Sequence, residues 1–195
     1  MKLIDLVVLR DEAALFQPLG ASLESGDCLE LLGPNGSGKS TLLKTLVGLH
    51  DQYKGCYECA DYFYQGHKLG LDDLMNPLEN LEWFMGLEGS EFEEDSVRNA
   101  LTRVSMVEYA DVPCSRMSQG QKRRVSMVRW MLSTRRVWIL DEPFTLLDKQ
   151  GIELVTDLIR EKCEAGGLVV CATHLPLRIE GKKSITIKPA VASKT

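Results

Sequence analysis

A glycine-rich stretch early in the chain could bind phosphate groups. It reads Gly33, Pro34, Asn35, Gly36, Ser37, Gly38, Lys39 and Ser40, which satisfies the pattern G-x-x-x-x-G-K-[ST] at every position. Glycines allow backbone N–H groups to turn inward around an anion, and the N-terminus of a following helix adds positive potential. Lys39 could then reach the β- and γ-phosphates while the Ser40 hydroxyl holds Mg²⁺, with Thr41 next to it in the same site. The motif predicts a nucleoside triphosphate site.

Two adjacent acids, Asp141 and Glu142, directly follow an apolar run at residues 137–140. Such a run is typical of a buried parallel strand, and an open α/β sheet binds ligands at the carboxyl ends of its strands. Asp141 could hold Mg²⁺ through water, and Glu142 could polarise the water that attacks the γ-phosphate. The guanine-reading motif of a GTPase, Asn-Lys-x-Asp, is not found in the sequence. The acids therefore favour an ATPase.

Alternating strands and helices must position these residues. We predict strands at residues 3–9, 28–32, 137–140, 168–173 and 184–187, with a strand pair within residues 56–64. We predict helices at residues 40–49, 77–85, 91–104, 118–132 and 149–165. The alternation is typical of an α/β fold with a parallel sheet, and the helical stretch from about residue 69 predicts an inserted helical subdomain.

Composition excludes several classes of protein. The 195 residues are 44% hydrophobic and 26% charged, which is ordinary for a globular domain and excludes a disordered chain. A formal net charge of −5 argues against a nucleic-acid partner. Apolar runs are too short to span a membrane and the first residues lack an export signal, so we expect a cytosolic chain. Six irregularly spaced cysteines predict reduced, buried thiols, although the role of the C-x-x-C pair Cys56 and Cys59 stays open.

A third motif distinguishes among ATPases. Residues 117–121 read Met-Ser-Gln-Gly-Gln and resemble the L-S-G-G-Q signature of ATP-binding-cassette (ABC) ATPases, with Ser118 as a natural helix N-cap. Asp148 resembles the D-loop aspartate of this family, and His174 its switch histidine. The resemblance covers residues 3–187 and implies a P-loop ATPase core with a trimmed antiparallel β-subdomain. It implies one nucleotide-binding domain at residues 1–190, with a helical subdomain at about 69–132 and a tail at 191–195.

The ABC resemblance also implies a mechanism. Two cassettes of this family pack head to tail around ATP and Mg²⁺, so it implies a homodimer in the ATP-bound state. Ser118, Gly120 and Gln121 of one copy would contact the γ-phosphate bound by the other and stabilise its charge. Hydrolysis by Glu142, with His174 and Lys39, would release the dimer.

Residues 138–148 resemble, more narrowly, the ATP-binding subunit of the bacterial haem exporter, the CcmA type of cytochrome c maturation. This resemblance implies a peripheral protein on the cytoplasmic face of the inner membrane. Its partners would be a CcmB-type integral membrane permease and associated haem-handling membrane proteins, and hydrolysis would release a haem-loaded periplasmic chaperone. A docking surface for the permease is expected among Leu69, Leu71, Leu74, Met75, Trp83 and Phe84, of which Trp83 and Phe84 could equally be core residues.

Two positions depart from the family pattern. By spacing, the Q-loop glutamine falls on Lys68, whereas Gln65 lies three residues earlier. We assign Gln65 as the ligand of nucleotide and Mg²⁺, with Lys68 as the alternative. No aromatic residue is available near residues 9–11 to stack on adenine, and only the planar guanidinium of Arg10 could do so. Selectivity between adenine and guanine therefore stays open.

Two other functions would fit the same motifs. An ABC exporter of a different substrate would carry them unchanged, because nothing in a nucleotide-binding subunit reads the cargo. A DNA- or ribosome-acting ABC ATPase is the more remote alternative, since such proteins carry long coiled coils or a second cassette. Stimulation of ATP hydrolysis by DNA or ribosomes would distinguish this class.

Overall fold

The computed structural model describes residues 1–188 and residue 190. The tail predicted at residues 191–195 lies outside these described residues. The strands are β1 (Lys2–Arg10), β2 (Ala13–Ala14), β3 (Leu19–Ser22), β4 (Cys28–Leu32), β5 (Tyr53–Glu58), β6 (Tyr62–Gln65), β7 (Val137–Asp141), β8 (Leu168–Ala172) and β9 (Lys183–Thr186). The helices are α1 (Lys39–Leu46), α2 (Pro77–Glu88), α3 (Glu94–Arg103), α4 (Gln119–Leu132) and α5 (Lys149–Glu164).

The described residues divide into two compact units. The first comprises Met1–Gly66, Arg136–Pro143 and the chain from Ile159 onward, and the second comprises His67–Arg135 and Phe144–Leu158. The first contains all nine strands of the described residues together with α1, and the second contains α2, α3 and α4.

A parallel sheet forms the centre of the first unit. Its strand order is β6-β7-β8-β4-β9, and every neighbouring pair is parallel. Strands β7 and β8 are buried along their whole length, which explains their unbroken apolar sequence. The predicted α/β fold with a parallel sheet is confirmed.

A smaller antiparallel sheet is built on β1, which pairs with β2, β3 and β5. The predicted strand pair within residues 56–64 is wrong, because β5 joins this sheet whereas β6 pairs with β7 in the parallel one. Strands β2 and β3 were not predicted, since two and four residues are too few to show a hydrophobic period.

The register of β1 shifts at Asp5, opposite Gly55. A Cβ on Gly55 (φ 89°) would lie 2.3 Å from the Asp5 carbonyl oxygen, so only glycine fits there.

The core of the first unit joins both sheets and α1. It contains Leu6 and Val8 of β1, Leu42 and Leu43 of α1, and Ile139 of β7, all fully buried. Because α1 begins immediately after the phosphate loop, this packing fixes the loop against the two sheets.

Capped helices make up most of the second unit. Asn76 caps α2 and Ser118 caps α4, each in a reciprocal capping box with the residue three positions later. Helix α3 begins at Glu94 rather than residue 91, because the backbone of Glu93 is extended. Phe84 is buried and belongs to the core. The Arg129 guanidinium carbon lies 4.7 Å from the centroid of the Phe84 ring.

Within the residues that the structure describes, no helix is long and apolar enough to span a bilayer.

Candidate functional site

Four parallel strands bring the predicted catalytic residues to one edge of the sheet. Strand β4 leads into Gly33, β6 ends at Gln65, β7 ends at Asp141, and β8 leads into His174. The register aligns these ends, because Gln65 lies opposite Leu140 and Asp141 opposite Ala172. This is the carboxyl edge at which open α/β sheets bind their ligands.

Two glycines of the phosphate loop are required by close packing. A Cβ on Gly33 (φ 153°) would lie 2.7 Å from the Ser37 hydroxyl oxygen. A Cβ on Gly38 (φ 97°) would lie 2.9 Å from the ring of Phe16, which is buried in the core. Side chains at either position would displace the loop, so the glycines fix the direction of its N–H groups.

The polar atoms of this loop fit a bound anion. The Lys39 ammonium group is almost fully buried and donates to the carbonyl oxygens of Gly33 (2.7 Å) and Pro34 (3.3 Å). The Ser37 hydroxyl is buried and has no hydrogen-bond partner among the described residues. A buried ammonium group that donates to carbonyl oxygens and a hydroxyl that lacks a partner are the donors that phosphate oxygens would satisfy.

Hard oxygen ligands stand beside the loop. The Ser40 hydroxyl donates to Asp141 Oδ1 at 3.0 Å, which places a hydroxyl and a carboxylate together as Mg²⁺ prefers. Burial, with a contribution from the Asp141 charge, raises the pKa of the neighbouring Tyr64 to about 12, so this phenol stays protonated. Gln65 is buried at the same edge, one strand from Asp141, whereas the alternative residue, Lys68, lies exposed in the second unit.

Glu142 and His174 form a contact pair. Glu142 Oε2 lies 2.8 Å from His174 Nδ1, and its other carboxylate oxygen lies 4.0 Å from the Lys39 ammonium nitrogen. Glu142 has a φ of 50°, an unusual backbone state that is held by its N–H donating to the Ala172 carbonyl at 2.8 Å. Strained residues of this kind concentrate at functional sites because the surrounding structure must stabilise them.

A buried glutamate, which sequence reasoning missed, holds the segment after His174. Glu30 lies in the middle of β4 and is 1% exposed. It accepts hydrogen bonds from the Leu177 N–H (2.5 Å), the Lys182 ammonium group (3.0 Å) and the Ser184 hydroxyl (2.9 Å). Burial would raise the pKa of Glu30, but these hydrogen bonds outweigh it and hold the pKa below its ordinary value. An acid inside an apolar strand was the sequence signal for this role.

The signature residues and Asp148 lie together in the second unit. Gly120 packs against the loop before Asp148, where its added Cβ would lie 3.2 Å from the Leu146 carbonyl oxygen. Asp148 accepts from the Gly151 N–H and from the Arg124 guanidinium, both at 2.8 Å. These two contacts, the Gly151 hydrogen bond first, lower the pKa of Asp148. Arg124 thus ties the signature helix to the Asp148 loop, a link that no spacing in the sequence indicates.

Comparison with known proteins identifies the family. The ABC transporter family model matches residues 16–145. The cytochrome c biogenesis ATP-binding export protein CcmA of Saccharophagus degradans is 39% identical over 91% of this chain and 88% of its own length. The CcmA protein of Vibrio parahaemolyticus is 32% identical over 96% of this chain and 98% of its own.

The fold is also shared with a solved structure. An ABC transporter ATP-binding protein from Pyrococcus furiosus superposes with a TM-score of 0.85 at 22% identity, covering 95% of this chain and 96% of that one. The matched motifs, the parallel sheet and the CcmA relatives agree, and the chain belongs to the ABC transporter ATP-binding family, in its CcmA type.

Proposed function

We propose that the chain is the ATP-binding and hydrolysing subunit of the haem exporter of cytochrome c biogenesis. Membership of the ABC family makes it a nucleotide-binding ATPase. The observation that carries the proposed mechanism is the meeting of the phosphate loop, Asp141 and the Glu142–His174 pair at one sheet edge.

The chemistry follows from the contacts of these residues. Lys39 would exchange its carbonyl partners Gly33 and Pro34 for phosphate oxygens, and the Ser37 hydroxyl would gain the partner it lacks. Bound Mg²⁺, held by Ser40 and Asp141 with Gln65 beside them, would neutralise charge on the phosphates. Glu142 would accept the proton of the attacking water. His174, hydrogen-bonded to Glu142, would orient that carboxylate.

Completion of the site requires a second copy of the chain. We propose that Ser118, Gly120 and Gln121 act on the nucleotide of the partner in an ATP-bound homodimer. The capping box at the start of α4 supports this, because it fixes the first N–H groups of the helix in one direction. Helix N-termini stabilise anions through those groups.

An exposed apolar surface supports a membrane partner. Leu74, Trp83 and Leu87 of the second unit are 87%, 58% and 64% exposed. We propose that they dock a CcmB-type integral permease on the cytoplasmic face of the bacterial inner membrane. Hydrolysis would then be coupled, through the associated haem-handling proteins, to release of a haem-loaded periplasmic chaperone.

The test is a Glu142→Gln substitution, which keeps size and hydrogen bonding but removes the carboxylate base. We expect kcat for ATP hydrolysis to fall by about 100-fold or more, with ATP still bound and a dimer trapped on size-exclusion chromatography. The matched control is Glu180→Gln, which alters an exposed glutamate and should leave turnover unchanged. Undiminished turnover in Glu142→Gln would remove Glu142 from its role.

The exported substrate needs a separate readout. The wild-type gene should restore holocytochrome c to a bacterial strain that lacks its own CcmA, and the Glu142→Gln gene should not. Wild-type ATPase activity without restored cytochrome would favour an exporter of another substrate. Stimulation by DNA or ribosomes, but not by the permease, would favour the remaining alternative.

A further inference from the structure

A buried threonine lies at the base of the loop that carries His174. Thr173 directly follows β8 and is completely buried, whereas His174 and Leu175 beside it are exposed. The Thr173 N–H donates to the Leu31 carbonyl oxygen of β4 at 3.2 Å, so its backbone continues the hydrogen bonding of the parallel sheet. Thr173 therefore fixes the start of this loop on the sheet.

The hydroxyl of Thr173 makes two hydrogen bonds to a single residue, Leu175. Its Oγ1 accepts from the Leu175 N–H and donates to the Leu175 carbonyl oxygen, both at 3.0 Å. Threonine hydroxyls can bond to the backbone two residues further on and so close a tight turn. His174 is the one residue that this turn encloses, so its backbone is held from both sides.

The rest of the loop has a different anchor. Pro176 has no N–H to donate, and the N–H of the next residue, Leu177, donates to the buried Glu30 carboxylate at 2.5 Å. Thr173 therefore holds the residue next to His174, whereas Glu30 holds the chain three residues beyond it. The two anchors act on different parts of the loop.

The direction of the His174 side chain matters because this side chain meets Glu142. Its Nδ1 lies 2.8 Å from Glu142 Oε2, although 56% of the His174 side chain is exposed. An imidazole with this exposure receives little support from packing, so the backbone of the loop must set where the ring points. Misplacement of a catalytic group by about 1 Å can lower a rate by about 100-fold.

We propose that Thr173 is a positioning residue for ATP hydrolysis, whose hydroxyl closes the turn at Leu175 and so directs the His174 ring to the Glu142 carboxylate. This role rests on the proposed function, in which His174 orients Glu142. Thr173 acts through His174, because its hydroxyl is buried and bonds to the backbone of Leu175. Loss of the hydroxyl should therefore slow hydrolysis without weakening ATP binding.

The experiment compares two substitutions of Thr173 in the full chain. Thr173→Val keeps the shape but removes the hydroxyl, and we expect kcat for ATP hydrolysis to fall by about 10- to 100-fold. KM for ATP should stay within about twofold of wild type. Thr173→Ser keeps the hydroxyl and should retain kcat within about threefold of wild type. The matched control is Thr156→Val, which removes a buried hydroxyl that donates to the Ile152 carbonyl oxygen within α5 and should leave kcat unchanged.

Two further readouts separate a positioning role from a structural one. If Thr173 acts through His174, adding Thr173→Val to His174→Ala should lower kcat by less than about twofold beyond His174→Ala alone. The chain has three histidines, whose imidazole nitrogens can be observed by NMR. The His174 signals, assigned by their loss in His174→Ala, should shift in Thr173→Val and keep their wild-type positions in Thr173→Ser.

Two results would overturn the proposal. One is a wild-type kcat in Thr173→Val while His174→Ala is impaired, which would refute the role of Thr173 and leave that of His174 intact. The other is a double variant whose kcat falls by the product of the two single effects. A wild-type kcat in His174→Ala would instead refute the role of His174 in the proposed function, and that of Thr173 with it. If Thr173→Val does not fold, Thr173→Ser and Thr173→Ala provide the same comparison, because these two variants differ only in the hydroxyl.

Discussion

Replacement of Glu30 tests whether a buried carboxylate holds the chain segment that follows His174. Glu30 receives hydrogen bonds from three donors on two chain segments: Leu177, Lys182 and Ser184. Leu177 lies three residues after His174. Loss of the carboxylate should therefore affect both the stability of the fold and the placement of the histidine beside Glu142.

The magnitude follows from the three contacts. Hydrogen bonds to a charged group contribute about 1.5–3 kcal/mol each, against about 0.5–1.5 kcal/mol for neutral ones. Glu30→Gln keeps the shape but removes the charge. The bonds from the two neutral donors, Leu177 and Ser184, should each lose about 1–1.5 kcal/mol, so we expect a total loss of about 2–3 kcal/mol. Glu30→Ala leaves the Lys182 cation without its buried partner and should cost about 3–5 kcal/mol. For a chain of this size each kcal/mol lowers Tm by about 2–4 °C.

Thermal unfolding followed by circular dichroism measures this effect. We expect Tm to fall by about 4–12 °C in Glu30→Gln and further in Glu30→Ala. Glu180→Gln changes an exposed glutamate of the same segment and should leave Tm unaltered. ATP hydrolysis provides the second readout, because displacement of His174 should lower kcat by a larger factor than it changes KM. A Tm within about 1 °C of wild type in Glu30→Ala would refute the reasoning.

The contribution of Glu30 should also depend on pH. Its pKa in the folded chain is below the ordinary value of 4.5, so its stabilisation is fully present above that value. As pH falls through the lower folded pKa, the carboxyl is protonated in both states and the stabilisation is lost. The Tm difference between wild type and Glu30→Gln should therefore shrink below about pH 4.5. A difference that grew on acidification would contradict the assigned sign.

Lys39→Ala should abolish binding of a fluorescent ATP analogue, because the triphosphate loses its main cation, and retained tight binding would contradict the loop assignment. Ser37→Ala removes a buried hydroxyl without a hydrogen-bond partner among the described residues. It should weaken nucleotide binding while Tm stays unchanged or rises slightly. A fall in Tm together with the loss of affinity would indicate a structural role instead. Gly55→Ala should lower stability by about 2 kcal/mol or more, since its Cβ would meet the Asp5 carbonyl. Gly86→Ala, in α2 with open space around its Cβ, should stabilise by up to about 1 kcal/mol, and equal effects of the two on Tm would argue against the clash.

Local spacing was sufficient to predict the nucleotide site. The phosphate loop and the Asp141–Glu142 pair each lie within a few consecutive residues, so their geometry is set by one turn or one strand end. The apolar runs of β7 and β8 predicted buried parallel strands because such strands need no polar face. The carboxyl edge of the sheet then followed from a general property of α/β folds.

Strand order and long-range partners were decided only by the tertiary structure. Short runs of residues carry no mark of the strand they will pair with, so β5 and β6, adjacent in sequence, were wrongly joined although they lie in different sheets. The sequence was equally ambiguous about which aromatic side chain of α2 is buried. Trp83 and Phe84 are neighbours, and only packing left Trp83 exposed and placed Phe84 in the core.

The sequence by itself determined the ATPase motifs, the α/β fold class and the family, because each is encoded in contiguous residues or in their order along the chain. The tertiary structure alone decided that Glu30 accepts from the Leu177 N–H and that Cys163 Sγ donates to the Asp27 carbonyl. Contacts of this kind join residues more than a hundred positions apart. They depend on strand register and helix packing, which the folded chain settles as a whole.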